Sequence, residues 1–205
     1  MALDAVLITH LHSDHFFDLV PFTYALLHGP RSPRERPPLL HLPPGGLEVL
    51  RAMTRAWGPE DLIEGAFEIH EYDPDAGSEI GPLRVRFCEM PHFTQTFAVE
   101  LADDAGRLTF GADCAPNPAL VQFARDTDLL LVEATLSEPE TGQRGHMSAR
   151  EAGELAAEAE ARRLVLTHYS DELDAARHLA HAREAFPGEV ELAQMGAVYD
   201  LDRRG

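Results

Sequence analysis

Thr9-His10-Leu11-His12-Ser13-Asp14-His15 places four side chains able to bind a divalent cation within six residues, directly behind the apolar run Val6-Leu7-Ile8. That run is short, apolar and rich in β-branched residues, so it reads as a buried strand that ends where the ligands begin. Just past a strand end the backbone can aim neighbouring side chains at one point. Imidazole and carboxylate groups suit zinc and similar ions, and two clusters, His10 with His12 and Asp14 with His15, offer the start of a two-metal site. Four ligands cannot close two coordination spheres, so the rest of the chain must supply others.

Further candidates recur at the same punctuation, one or two residues after an apolar strand. Phe87-Cys88-Glu89-Met90-Pro91 precedes His92, Leu108-Thr109-Phe110-Gly111-Ala112 precedes Asp113, and Leu164-Val165-Leu166-Thr167 precedes His168. The seven residues would divide as His10, His12 and His92 on one metal and Asp14, His15 and His168 on the other, with Asp113 bridging and water in the open positions. His28, His41, His70, His178 and His181 have no such placement and read as surface or loop histidines, with His41 in a loop that could touch substrate. Cys114, beside Asp113, reads as a small buried neighbour.

The intervening segments alternate between helix and strand periodicity. Residues 16–28 carry apolar side chains at helical spacing. The Pro-, Gly- and Arg-rich stretch 29–46 reads as a mobile loop with a short strand at Leu39-Leu40-His41-Leu42. A helix over 47–57 ends at Gly58-Pro59. Period-two strands at 83–87 and 97–101 and a turn through Asp103-Asp104-Ala105-Gly106 into 107–110 make a β-meander. The continuous apolar runs at 129–132 and 164–166 read as strands covered on both faces. Between them Ser148-Ala149-Arg150-Glu151 is a capping box, followed by a helix burying Ala152, Leu155, Ala156 and Ala159. A helix over 173–186 and short strands near 190–192 and 197–201 complete an α/β chain, read as one domain over 1–205.

With 35 acidic against 17 basic residues among 205, the formal charge is −18. A broad nucleic-acid-binding surface needs the opposite sign. Two divalent ions would attract an anion locally while the rest of the surface repels it, which favours a small anion over a long polyanion. Two cysteines are too few for a disulfide framework, and no long apolar span or secretion signal appears, so a cytoplasmic, non-membrane protein is expected.

The order H-x-H-x-D-H, His, Gly-x-Asp, His resembles the metallo-β-lactamase superfamily over nearly the whole chain. Val132-Glu133-Ala134-Thr135, Gly145-His146-Met147-Ser148 and Leu166-Thr167-His168-Tyr169-Ser170 are similar to its ribonuclease Z and phosphodiesterase branch, with the stretch from Gly145 onward most like cyclic-nucleotide phosphodiesterase-like members. Asp113, where β-lactamases proper carry cysteine, points away from those enzymes. The resemblance implies an αββα sandwich with metals at one edge of two sheets. It implies a catalytic role for His146, oriented by Glu133, and for Asp14, which ligates metal and positions the nucleophile. Two divalent ions follow from it, zinc first, with manganese or iron suited to the same ligands.

In the family several tens of residues precede the first motif, which here begins at residue 10. The expectation is therefore a sandwich lacking its first N-terminal strands, with an unprotected sheet edge. Only 21 positions separate His92 from Asp113, which leaves no room for the substrate-gripping arm common in ribonuclease Z. The expected activity is hydrolysis of a small anionic phosphodiester such as a cyclic nucleotide, and extended nucleic acid is disfavoured. The alternatives are a ribonuclease Z-like endoribonuclease for transfer-RNA 3′ ends and a metal-binding protein without catalysis. The resemblance also admits a homodimer.

Overall fold

Two continuous apolar runs, 129–132 and 164–166, lie side by side in the interior of a seven-stranded sheet, buried at every position but the half-buried Leu131. A computed structural model describes residues 3–30, 36–170, 172 and 174–201. The chain divides into two units, Met1–Asp73 and Pro74–Gly205.

The first unit holds β1 (Ala5–Leu7), α1 (Ser13–Phe16), α2 (Leu19–His28), β2 (Leu39–Leu42), α3 (Gly46–Thr54) and β3 (Glu68–Glu71). Its strands form a parallel sheet in the order β1-β2-β3, with Val6 opposite Leu40 and Leu40 opposite Ile69. Ile8, Phe16, Leu26, Leu40, Leu42, Leu50, Ile63 and Phe67 form the core. The helix expected over 16–28 is interrupted at Phe17-Asp18. Pro21 then falls in the first turn of α2, where its missing N–H costs no helical bond.

The second unit contains β4 (Ser78–Ile80), β5 (Leu83–Met90), β6 (Thr96–Ala102), β7 (Arg107–Phe110), α4 (Pro118–Phe123), β8 (Leu129–Glu133), α5 (Ala149–Glu158), β9 (Arg163–Thr167), α6 (Ala175–Ala185) and β10 (Glu189–Leu192). The sheet order is β10-β9-β8-β7-β6-β5-β4. β7 to β10 are mutually parallel, while β6 is antiparallel to both β5 and β7. Consequently β5, β7, β8 and β9 all run the same way and end at one edge of the sheet. Leu130, Val132, Leu164 and Leu166 pack with Leu120, Ala152, Leu155, Ala156 and Ala182 from the helices. Close approach of α5 and α6 requires Gly153, because a Cβ there would sit 2.5 Å from the Ala182 carbonyl oxygen.

Several expectations are corrected. Residues 31–35 of the expected mobile loop and Leu173 of the last helix lie outside the described residues. His41 belongs to β2 and is buried at 5% exposure, and His178 on α6 is buried at 4%. Both were expected on loops or the surface. The segment 197–201 forms no strand. Gly196 turns the chain at a φ of 79°, and Leu201 then lies against Gly106, where a Cβ would come within 2.7 Å of it.

The capping box forms as expected, and Arg144 extends it. Ser148 N–H and Oγ–H both donate to Glu151 Oε2 at 2.9 Å, and Arg144 donates to both carboxylate oxygens. Burial opposes ionisation of Glu151, but the Arg144 guanidinium and the Ser148 donors outweigh it and hold the carboxyl below its ordinary value. A depressed carboxyl stabilises the fold above its unfolded pKa and loses that contribution as pH falls through the folded one. Glu151→Gln should therefore lower stability by about 1 kcal/mol at pH 7. Urea midpoints should stay apart through the ordinary carboxylate range and converge with those of the unsubstituted chain only as pH falls below the lowered pKa of the folded Glu151, where both side chains are neutral. A gap unchanged at low pH would refute the electrostatic part of this account.

Candidate metal centre

In the first unit the ligand-rich motif begins two residues after β1. Tyr72 O–H donates to the Ile8 carbonyl at 3.1 Å and fixes the chain just before His10, and burial pushes its phenol pKa up. His10 is fully buried, with Nδ1 3.1 Å from the Thr9 hydroxyl. His12 is extended and precedes α1, whose first turn carries Asp14 and whose last carries His15. The one-turn helix folds His15 back, so its ring lies 4.3 Å from that of His10, and the His12 ring is 5.0 Å away. Asp14 Oδ2 approaches His15 Nε2 at 3.2 Å. All four residues of the motif are thus gathered around one short turn.

In the second unit the shared edge does the gathering. His92 follows β5, Asp113 follows β7, Glu133 ends β8 and His168 follows β9. His146 arrives on the segment before α5, held by a bridge between Leu136 and Ser148 and by Met147 N–H donating to Glu133 at 3.2 Å. Candidate ligand atoms of His92, Asp113 and His146 lie within 4.8 Å of one another, as do those of Glu133, His146 and His168. His168 Nε2 is 3.3 Å from Asp113 Oδ2. Two non-glycine residues here adopt left-handed backbone, Ala112 at φ 54° and His168 at φ 52°. Such conformations cost on the order of 1 kcal/mol each and persist where surrounding contacts enforce them.

Glu133 is fully buried and receives five donors. Cys114 N–H and His146 Nδ1–H reach Oε1 at 2.8 and 2.9 Å; Thr135 Oγ–H, Thr135 N–H and Met147 N–H reach Oε2. Burial pushes the carboxyl up, and the Thr135, His146 and Cys114 donors recover only part of the shift. Cys114 is itself buried, which drives its thiol pKa well up and supports its role as a packing neighbour.

The donor chemistry fits divalent cations. His92 Nδ1 lies 2.8 Å from the Gly145 carbonyl, which can only accept, so Nδ1 carries the proton and Nε2 the lone pair. The same reasoning at His146, against the Glu133 carboxylate, leaves its Nε2 facing away from the bond. Histidine ligands are oriented in this way, through a second ring nitrogen tied to an oxygen acceptor. Gly145 had no role in the sequence reading. A Cβ there would sit 2.7 Å from both His92 Nδ1 and the Phe93 ring.

A family model described as "Beta-lactamase superfamily domain" matches residues 1–169. The chain belongs to the beta-lactamase superfamily. It is a metallo-hydrolase of the metallo-β-lactamase fold, in agreement with the family and fold expected from the motifs. It is 28% identical over 200 residues to the protein named "Probable metallo-hydrolase YhfI" from Bacillus subtilis, covering 97% of this chain and 79% of that one. The crystal structure of that protein superposes with a TM-score of 0.84 at 26% identity, over 97% of this chain and 78% of that one. A ribonuclease Z from Myxococcus xanthus is 45% identical over 103 residues, 48% of this chain and 34% of that enzyme. A diphosphatase of the PhnP family shares the fold, with a TM-score of 0.70 at 18% identity over 97% of this chain and 72% of that one. Among the described residues no helix is long and apolar enough to cross a membrane.

Gly145→Ala should displace His92 and weaken divalent-metal affinity about 10–100-fold, as loss of a bond supporting a ligand commonly does. Competition against a chromophoric chelator measures this, and unchanged affinity would refute the role given to Gly145.

Proposed function

We propose that this metallo-hydrolase cleaves a small anionic phosphodiester, a cyclic nucleotide being the type, and that His146 serves the leaving group. The observation that carries the reading is the pairing of His146 Nδ1 with the buried Glu133 carboxylate at 2.9 Å, beside His92, Asp113 and His168. A histidine held in this way by a carboxylate keeps its Nε2 available to give a proton to a departing oxygen or to hold a phosphate oxygen. Glu133 stabilises the protonated ring and fixes its orientation. Asp14, with 66% of its side chain exposed, accepts a hydrogen bond from the attacking water and orients it.

The ligand division proposed is His10, His12 and His92 for one cation and Asp14, His15 and His168 for the other, with Asp113 shared. Zinc suits this His and Asp set, and manganese or iron suits it too. Such ions lower the pKa of water and offset the charge that builds on a phosphate during displacement. The net charge of −18 supports a compact anionic substrate. Phe93 is 63% exposed beside the His92 ring, and its apolar face suits a substrate carrying an aromatic base.

A second reading, processing of transfer-RNA 3′ ends, is favoured by the 45% identity to the Myxococcus ribonuclease Z. It is opposed by the acidic surface and by the short segment between His92 and Asp113. Assays against 3′,5′-cyclic nucleotides, a generic phosphodiester and a transfer-RNA precursor separate the two, and metal uptake with no turnover on any of them would mean a metal-binding protein instead. His146→Ala should lower turnover by roughly 10²–10⁴-fold and leave metal content intact. Parallel loss of metal and activity would refute the assignment of His146.

A further inference from the structure

We propose that Thr135 is a positioning residue whose hydroxyl locks His168 in the tautomer protonated at Nδ1, so that the buried Glu133 carboxylate governs His168 as well as His146. The inference rests on the proposed role of His168 as a metal ligand only for its consequence, not for the tautomer itself.

The Thr135 hydroxyl has one proton and three close neighbours. Glu133 Oε2 lies at 2.5 Å, His168 Nδ1 at 2.7 Å and the His168 carbonyl oxygen at 3.0 Å. Both oxygens can only accept, and the ring nitrogen can do either. The proton goes to the carboxylate, since the contact is shorter and a charged acceptor makes a hydrogen bond about twice as strong as a neutral one. The hydroxyl is then an acceptor toward His168, and Nδ1 at 2.7 Å must be the donor. Were Nδ1 unprotonated, the hydroxyl proton would have to turn to it, leaving two oxygen lone-pair clouds 2.5 Å apart in a buried place. The relay His168 Nδ1–H to Thr135 Oγ–H to Glu133 therefore runs in one direction.

Two consequences follow for the neutral ring. Its lone pair sits on Nε2, 3.3 Å from Asp113 Oδ2, so two acceptors converge there as they would on a shared cation. The left-handed backbone at His168 is also explained, since Thr135 engages both its ring and its carbonyl, and Ala134 N–H donates to the preceding Thr167 carbonyl at 2.9 Å. Serine can replace threonine in this relay. Valine, nearly the same shape, cannot.

The test uses the full chain freed of metal and held above the pH at which its histidines are charged. Nitrogen-15 NMR of the imidazoles should find His168 protonated at Nδ1 in the unsubstituted chain and in Thr135→Ser. In Thr135→Val the ring should shift to a mixture or to the Nε2–H form. In the same proteins zinc affinity should fall about 10–100-fold for Thr135→Val and hold for Thr135→Ser. His168 protonated at Nε2 in the unsubstituted chain, or fixed at Nδ1 in the valine variant, overturns the proposal. A shifted tautomer with unchanged zinc affinity upholds the relay and refutes His168 as a ligand, so the two failures are distinguishable.

Discussion

A carboxylate taken out of water must be surrounded by donors, and Glu133 is the place where this chain meets that demand. An unpaired buried charge costs several kcal/mol, and breaking such a network by removing one member commonly costs 3–5 kcal/mol. The donors come from the segments that carry the candidate ligands. Cys114 N–H adjoins Asp113, Met147 N–H adjoins His146, and Thr135 reaches His168. Satisfying one anion therefore fixes the ends of β7 and β9 and the approach to α5 relative to β8. Precision in the site is a consequence of electrostatic necessity at its floor.

The sheet supplies the coarse placement on which that network acts. Because β5, β7, β8 and β9 run in one direction, the residues that follow them emerge at a common edge, as ligand-binding loops do in parallel sheets generally. Ala112 and His168 leave that edge through left-handed backbone. Strain of this kind is retained when the contacts around it outweigh its cost, and here those contacts include the Glu133 network and the Thr135 hydroxyl.

Much of this was legible in the sequence because the signals were local. Apolar runs located β8 and β9, the S-x-x-E pattern located the start of α5, and the repeated rule of a ligand just after a strand picked residues the structure brings together within each unit. What could not be read depended on distant partners. Glu68-Ile69-His70-Glu71 has little apolar content and becomes β3 only because β2 offers it a ladder. His41 and His178 are buried by that same sheet and by the packing of α6, where His178 shares a face with Ala182 one turn on and lies 3.2 Å from the Ala134 carbonyl. The i, i+4 pairing of His178 with Ala182 was the one available hint. Thr135 carried no signal of its role, since its hydroxyl meets His168 across 33 residues.

Crystals grown with zinc and measured at its absorption edge address the central claim, that the network floored by Glu133 presents His168 Nε2 and the Asp113 carboxylate to a cation. The account predicts anomalous density about 2.0–2.2 Å from His168 Nε2 and from an Asp113 carboxylate oxygen, with Nδ1 of His168 still bound to Thr135. Zinc on a ring Nδ1, or no zinc at these residues, would contradict it.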